Sequence, residues 1–224
     1  MMQSDFTASA QDRSRFFWWL AEWFLSPPNS ERLATLTSAE SSANPETSDV
    51  VPDVMDQAWQ ALAVATPNPE TVSLDALGVE FTRLLSGVQE GNGPPPPFES
   101  VWREDRLIGE TTVQVIEAYA KAGFSDIDLE AGPQDHVGVE LKFIAMLALR
   151  EAEAWQVDDQ SAVQLRRTQQ HDFLNQHLAA WAPRWADAII EQTREPLFAA
   201  LAGLLKIGVE QAVLELKHST SQSS

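Results

Sequence analysis

The sequence predicts an all-α fold, and three observations carry that prediction. Apolar residues recur at three- and four-residue spacing through most of the chain, no alternating β-branched run is long enough to pair as a strand, and only ten glycines serve 224 residues. Ten Phe and eight Trp against one Tyr supply core-building side chains in quantity. A chain of this length builds one substantial core, so residues 11–217 are expected to form a single globular domain of about nine to ten helices. Residues 1–10 are expected to be a flexible N-terminus, 38–53 a mobile acidic loop and 218–224 a disordered tail.

The elements follow in order. Phe16, Phe17, Leu20, Trp23 and Phe24 line one wide aromatic face of a helix starting near Ser9, which Pro27-Pro28 ends. A weaker helix covers Ser30 to Ser38. Asp53 to Ala65 carries Val54, Ala58, Leu62 and Ala65 on one stripe. Leu74, Leu77, Phe81, Leu84 and Leu85 form the next, with Gly87 just past the helix end. The loop 89–98 holds four consecutive prolines, Pro94 to Pro97, a stiff extended strut without backbone N–H donors. Glu99 to Arg106 is a crossing segment, and Gly109 to Ala122 a helix with its stripe at Thr112, Val115, Ile116 and Tyr119.

The most apolar helix begins after the turn Gly132-Pro133-Gln134, with Asp135 as the expected N-cap. Val137, Leu141, Ile144 and Ala148 share one face, and Val139, Phe143, Met146 and Leu147 cover most of the rest, so this helix belongs in the interior. It extends toward Trp155. Ser161 to Leu178, Trp181 to Thr193 and Pro196 to Lys217 complete the set, the last with proline in its first turn.

Charge and motifs exclude several functions. The net charge of −18, from 33 acids against 15 Lys plus Arg, disfavours nucleic acid and anionic membrane as partners. Between Arg32 and Arg83 there is no basic residue, yet eight acids lie there, a surface that draws cationic partners or simply solubilises the chain. No Cys means no disulfide framework and no thiolate metal site. The apolar run at 16–25 is interrupted by Glu22 and lacks a small-residue cleavage site, and no uninterrupted span of about 18–20 apolar residues is seen, so a cytoplasmic protein without stable membrane insertion is expected.

Catalytic inventories are incomplete. GVQEGNG at 87–93 lacks the Lys and Ser/Thr of a phosphate loop, and no GxSxG occurs. His136 and Glu140 stand at i and i+4, too few ligands for a metal, while His171, His177 and His218 have no matching carboxylate pattern. Asp135 beside His136 looks like a general-base pair, but sequence neighbours at a helix start point in different directions. A cap and a partly buried hydrogen-bonding histidine explain them equally well. Phe98 and Trp102 follow the proline strut directly, where side chains are presented at a surface. A groove with such apolar walls and an acidic rim suits an apolar peptide carrying arginines.

Two motifs, EFTRLLSG with PPPPFESVW (80–87 and 94–102) and PQDHVGVELKFIAML (133–147), resemble those of the TorD/DmsD family of molybdoenzyme maturation chaperones. A third, FLNQHLAAWAPRW (173–185), resembles the family's His-Leu-x-x-Trp segment. The resemblance spans about Arg13 to Gln211. It implies a TorD-like all-helical chaperone, not an enzyme and without a cofactor of its own. Such a protein binds the twin-arginine signal peptide of a molybdenum-containing oxidoreductase and holds the apo catalytic subunit in the cytoplasm for cofactor insertion before export. Carried over by position, and with Trp102 added from its place after the strut, the peptide-binding residues are Phe81, Leu84, Leu85, Pro97, Phe98, Trp102, Pro133, Asp135 and His136. The alternatives are an assembly factor that grips the catalytic subunit itself and a nucleotide-binding regulatory protein. Monomer and domain-swapped dimer both remain open.

Overall fold

The computed structural model describes residues 2–40, 53–68, 71–85, 93–124 and 133–220. Among them the chain forms ten α-helices: α1 Met2–Leu25, α2 Ser30–Glu40, α3 Val54–Ala65, α4 Leu74–Leu85, α5 Glu99–Glu104, α6 Glu110–Lys121, α7 Val137–Gln156, α8 Gln160–Phe173, α9 Ala179–Gln192 and α10 Pro196–Thr220. A π-helical turn, Leu174–Leu178, joins α8 to α9. No strand occurs among the described residues, and the one isolated β-bridge pairs Phe98 with His136. Most of the acidic loop, Gly87 and the last four residues lie outside the described residues.

Several boundaries differ from those the periodicity predicts. Helix α1 begins at Met2 rather than near Ser9, because tertiary contacts hold its first turns. Phe6 stacks on Trp155 with ring centroids 5.1 Å apart, the Gln3 amide donates to the Trp155 carbonyl, and Ala10 is fully buried. Glu99 to Glu104 is a short helix, where a crossing segment was expected. Its end is marked by Asp105 at φ 55°, and Ile108, at φ 59°, follows before α6. Within α10, Pro196–Lys217 is long and apolar enough by length and composition to cross a membrane, which the search for uninterrupted runs did not reveal. Over half of it is buried within the protein, as befits a core helix.

The single domain expected over 11–217 resolves by its contacts into two compact units. The first comprises Met1–Leu25, Pro97–Ala182 and Val209–Ser224; the second comprises Ser26–Pro96 and Pro183–Gly208.

In the first unit α1 packs along α7 so closely that a Cβ on Gly138 would lie 2.5 Å from Leu25 Cγ, so any side chain there must displace Leu25. Leu20, Ala21, Leu141, Ile144 and Ala148 are fully buried. Tyr119, Phe143 and Phe173 stack in turn, with centroid spacings of 4.4 and 4.7 Å, from α6 through α7 to α8. A buried ionic network adds specificity: Glu151 of α7, fully enclosed, accepts from Arg13 at 2.5 Å, from Arg167 at 2.6 Å and from Gln170 at 2.8 Å. Each charge there is opposed, without which burial would be costly.

In the second unit Glu80 and Arg83, expected as a surface pair, are enclosed, with side chains 5% and 9% exposed. Arg83 binds both Glu80 oxygens, at 2.8 and 2.6 Å, and Glu80 also accepts from the Arg194 backbone N–H at 2.7 Å and the Thr193 hydroxyl at 3.2 Å. Glu80 therefore ties α4 to the turn between α9 and α10.

Candidate functional site

The site grows from the residue that ends the proline strut. Phe98, extended at φ −118° and ψ 132°, occupies the N-cap position of α5 but offers no side-chain acceptor. The acceptor comes from elsewhere in the chain: Asp135 takes the Ser100 N–H on its Oδ2 at 2.8 Å and the Glu99 N–H on its carbonyl at 2.8 Å. The Val137 N–H donates in return to the Pro97 carbonyl at 2.9 Å, completing the antiparallel bridge between Phe98 and His136. Two helix starts are thereby stitched together, and the Phe98 and His136 rings meet edge to face with centroids 5.2 Å apart.

This geometry moves the α7 cap by one residue. His136, not Asp135, is the N-cap, and its Nδ1 accepts from the Gly138 N–H at 3.1 Å. Asp135 is drawn away because its carboxylate answers the N–H groups at the start of α5. The imidazole must be neutral to accept there, and burial holds its pKa down at about 4 against the weaker opposing effect of Asp135. Asp135 and His136 thus point to different helices and form no acid-base dyad.

Beneath the bridge lies a group that the sequence does not reveal. Glu99, Asp135 and Glu140 are all fully buried. Glu99 is bound by Arg103 on Oε1 and by His177 Nδ1 on Oε2, the latter at 3.0 Å, while the Trp181 indole donates to Glu140 at 3.2 Å. Of these three enclosed carboxylates only Glu99 is bound by a guanidinium. Burial first, then the nearby charge of Glu99, pushes the Glu140 carboxyl well above its ordinary range, so Glu140 keeps its proton. The same burial and the same acids push the Tyr119 phenol up, and its hydroxyl donates to the Gln134 carbonyl at 3.1 Å. His177, without a carboxylate partner in sequence, finds one 78 positions away. The only hint of Glu140 was an acid set among apolar residues on a helix predicted to be interior. Glu99 and His177 stand in family-like motifs, but nothing in the sequence pairs the two.

The predicted site residues divide. Phe98 and His136 are paired and half-buried, Trp102 and Pro133 are half-buried on the same unit, and Pro97 is buried. Asp135 is fully buried and positions the bridge through its Oδ2 and its carbonyl. Phe81, Leu84 and Leu85 belong to the second unit and are buried, Phe81 against Phe198 at a centroid distance of 6.5 Å. Among the described residues no cluster of three or more His, Asp or Glu is placed to hold a metal ion, and His136 and Glu140 turn to different partners.

Comparison with known proteins decides the family. The model of the nitrate reductase delta subunit family matches residues 49–187. The chain belongs to that family. Among its relatives, the Tat proofreading chaperone DmsD of Salmonella typhi is 28% identical over 176 residues, covering 74% of this chain and 78% of DmsD. The chaperone protein TorD of Vibrio cholerae is 24% identical over 213 residues, covering 90% of each. These relatives are named as chaperones, not as enzymes. A redox enzyme maturation protein from Archaeoglobus fulgidus shares the fold, with a TM-score of 0.51 and 22% identity over 88% of this chain and 93% of that one. Within this delta-subunit family member, the three family-like motifs meet at the buried acids. PPPPFESVW brings Glu99, PQDHVGVEL brings Asp135 and Glu140, and the His-Leu-x-x-Trp segment brings His177 and Trp181.

Proposed function

We propose that this chain is a maturation chaperone that binds the twin-arginine signal peptide of a molybdenum-containing oxidoreductase and retains the apo catalytic subunit until its cofactor is inserted. The observation that supports this reading most is the Phe98–His136 junction. It offers a half-open aromatic and imidazole surface, with Trp102 and Pro133 on the same unit, held rigid by main-chain hydrogen bonds. A preformed apolar surface spares the entropy of ordering on binding, and the apolar stretch of a signal peptide is suited to it. The formal charge of −18 draws the peptide's arginines and makes affinity fall with salt.

The test is a fluorescence titration of a labelled twin-arginine peptide. Phe98→Ala removes the ring that contacts His136 and is expected to weaken binding by about tenfold or more, as for an aromatic anchor. Equal affinity of wild type and Phe98→Ala would remove the site. The family's description as a reductase subunit favours a second reading, contact with the enzyme itself. That reading predicts full binding to a catalytic subunit whose leader has been deleted.

A further inference from the structure

A cavity of about 690 Å³ opens on the first unit, and none of the positions assigned to peptide binding lines it. Its walls come from α5, α6, α8 and the π turn, and its floor is formed by Phe143, Phe173 and His177. The π turn shapes it. By widening the helix for one turn, it puts Asn175, Gln176 and His177 all on the cavity wall, and such insertions commonly mark functional sites.

Two cations and two anions line the cavity. Arg103 is held by Glu99 and also donates to the Gln176 carbonyl at 2.9 Å, Lys121 lies 3.6 Å from Glu117, and Asp172 stands 3.2 Å from the His171 ring. Neither sign is in surplus, so a phosphate or a carboxylate gains little here. The hydrogen-bonding surface consists of the carboxamides of Gln114, Asn175 and Gln176, each with a donor end and an acceptor end. Deeper in, His177 has a side chain only 6% exposed and its Nδ1 committed to Glu99, which leaves Nε2 as the ring nitrogen available to a ligand. Phe143 and Phe173 are each 3% exposed and packed on each other, so no ring face is offered for a nucleobase or a sugar to stack on.

An uncharged ligand that alternates donors and acceptors and needs little stacking is the main chain of an extended polypeptide with small side chains. We propose that this cavity is a second binding site, for an extended, uncharged peptide segment, recognised through its backbone by the carboxamides of α6 and the π turn. The size falls within the range of about 300–1,000 Å³ usual for ligand sites. This inference does not rest on the signal-peptide reading, and its probe carries no arginine.

The experiment is an NMR titration of the side-chain amides of Gln114, Asn175 and Gln176 and of the His177 ring. The probes are acetyl-Ala-Ser-Ala-Ala-amide, adenosine monophosphate and maltose, each added separately. Saturable shifts with the tetrapeptide alone support the proposal. Gln114→Glu and Gln176→Glu, both at exposed positions that leave the core untouched, replace a donor by a charge and are expected to weaken tetrapeptide binding by about tenfold. The absence of shifts, tighter binding of the nucleotide or of maltose, or unchanged affinity in both variants would overturn it.

Discussion

Stability should depend on pH through two groups shifted in opposite directions, the half-buried His136 and the buried Glu140, which stand one helical turn apart. Burial holds the His136 pKa at about 4 against 6.5 for a free imidazole, so between those values the unfolded chain binds a proton that the folded chain has given up. Stability therefore rises with pH across that window, by about 1.4 kcal/mol per pH unit and at most about 3 kcal/mol in all. The stabilisation is present above pH 6.5 and lost as pH falls toward 4. Glu140 does the reverse. Burial and Glu99 raise its pKa well above 4.5, so the folded chain holds the extra proton, and stability falls as pH climbs from 4.5.

Above pH 4.5 the two contributions oppose one another. Glu140→Gln keeps the neutral shape and the acceptor for Trp181 but removes the titration, which unmasks the rise from His136. His136→Asn keeps an N-cap acceptor for Gly138 without an ionisable ring, which unmasks the fall from Glu140. Urea denaturation at half-unit steps from pH 4.5 to 8, followed by circular dichroism, gives each curve relative to wild type, so other titrating groups drop out. The two variants should diverge from wild type with slopes of opposite sign. Curves parallel to wild type for both variants would refute the account of the buried acid group.

Other perturbations test the surrounding structure. Glu80→Ala removes the carboxylate that pairs with Arg83 and caps the Arg194 N–H, leaving Arg83 with the Gln192 carbonyl, and should cost about 2–3 kcal/mol by chemical denaturation, where a surface pair would cost well under 1. Gly138→Ala drives a methyl into Leu25 and should destabilise by about 1–3 kcal/mol, although alanine is the better helix former; a gain in stability would contradict the packing of α1 on α7. Asp135→Ala removes the cap of α5 and should cost about 1–2 kcal/mol, with faster hydrogen exchange at Ser100, whereas a ligand-facing aspartate would leave that amide unchanged.

Helical periodicity alone locates α3, α4, α6, α7 and α10 to within a few residues, because each carries an apolar stripe that can satisfy itself only by burial on one side. Proline and glycine punctuation marks the ends of α1 and α6 for equally local reasons. The first turns of α1, the short α5 and the shift of the α7 cap are not legible in this way, since each depends on a partner far along the chain: Trp155 for Phe6, and Asp135 for Ser100. The same division runs through the site. The sequence by itself determined that Phe98 follows a rigid strut and that His136 opens an interior helix. Only tertiary structure decided that the two are bridged, that Asp135 is sealed behind them, and that Glu99, Glu140 and His177 share one dry space. Spacing encodes which face of a helix seeks the interior, but it does not encode which polar groups must satisfy each other once water has been excluded.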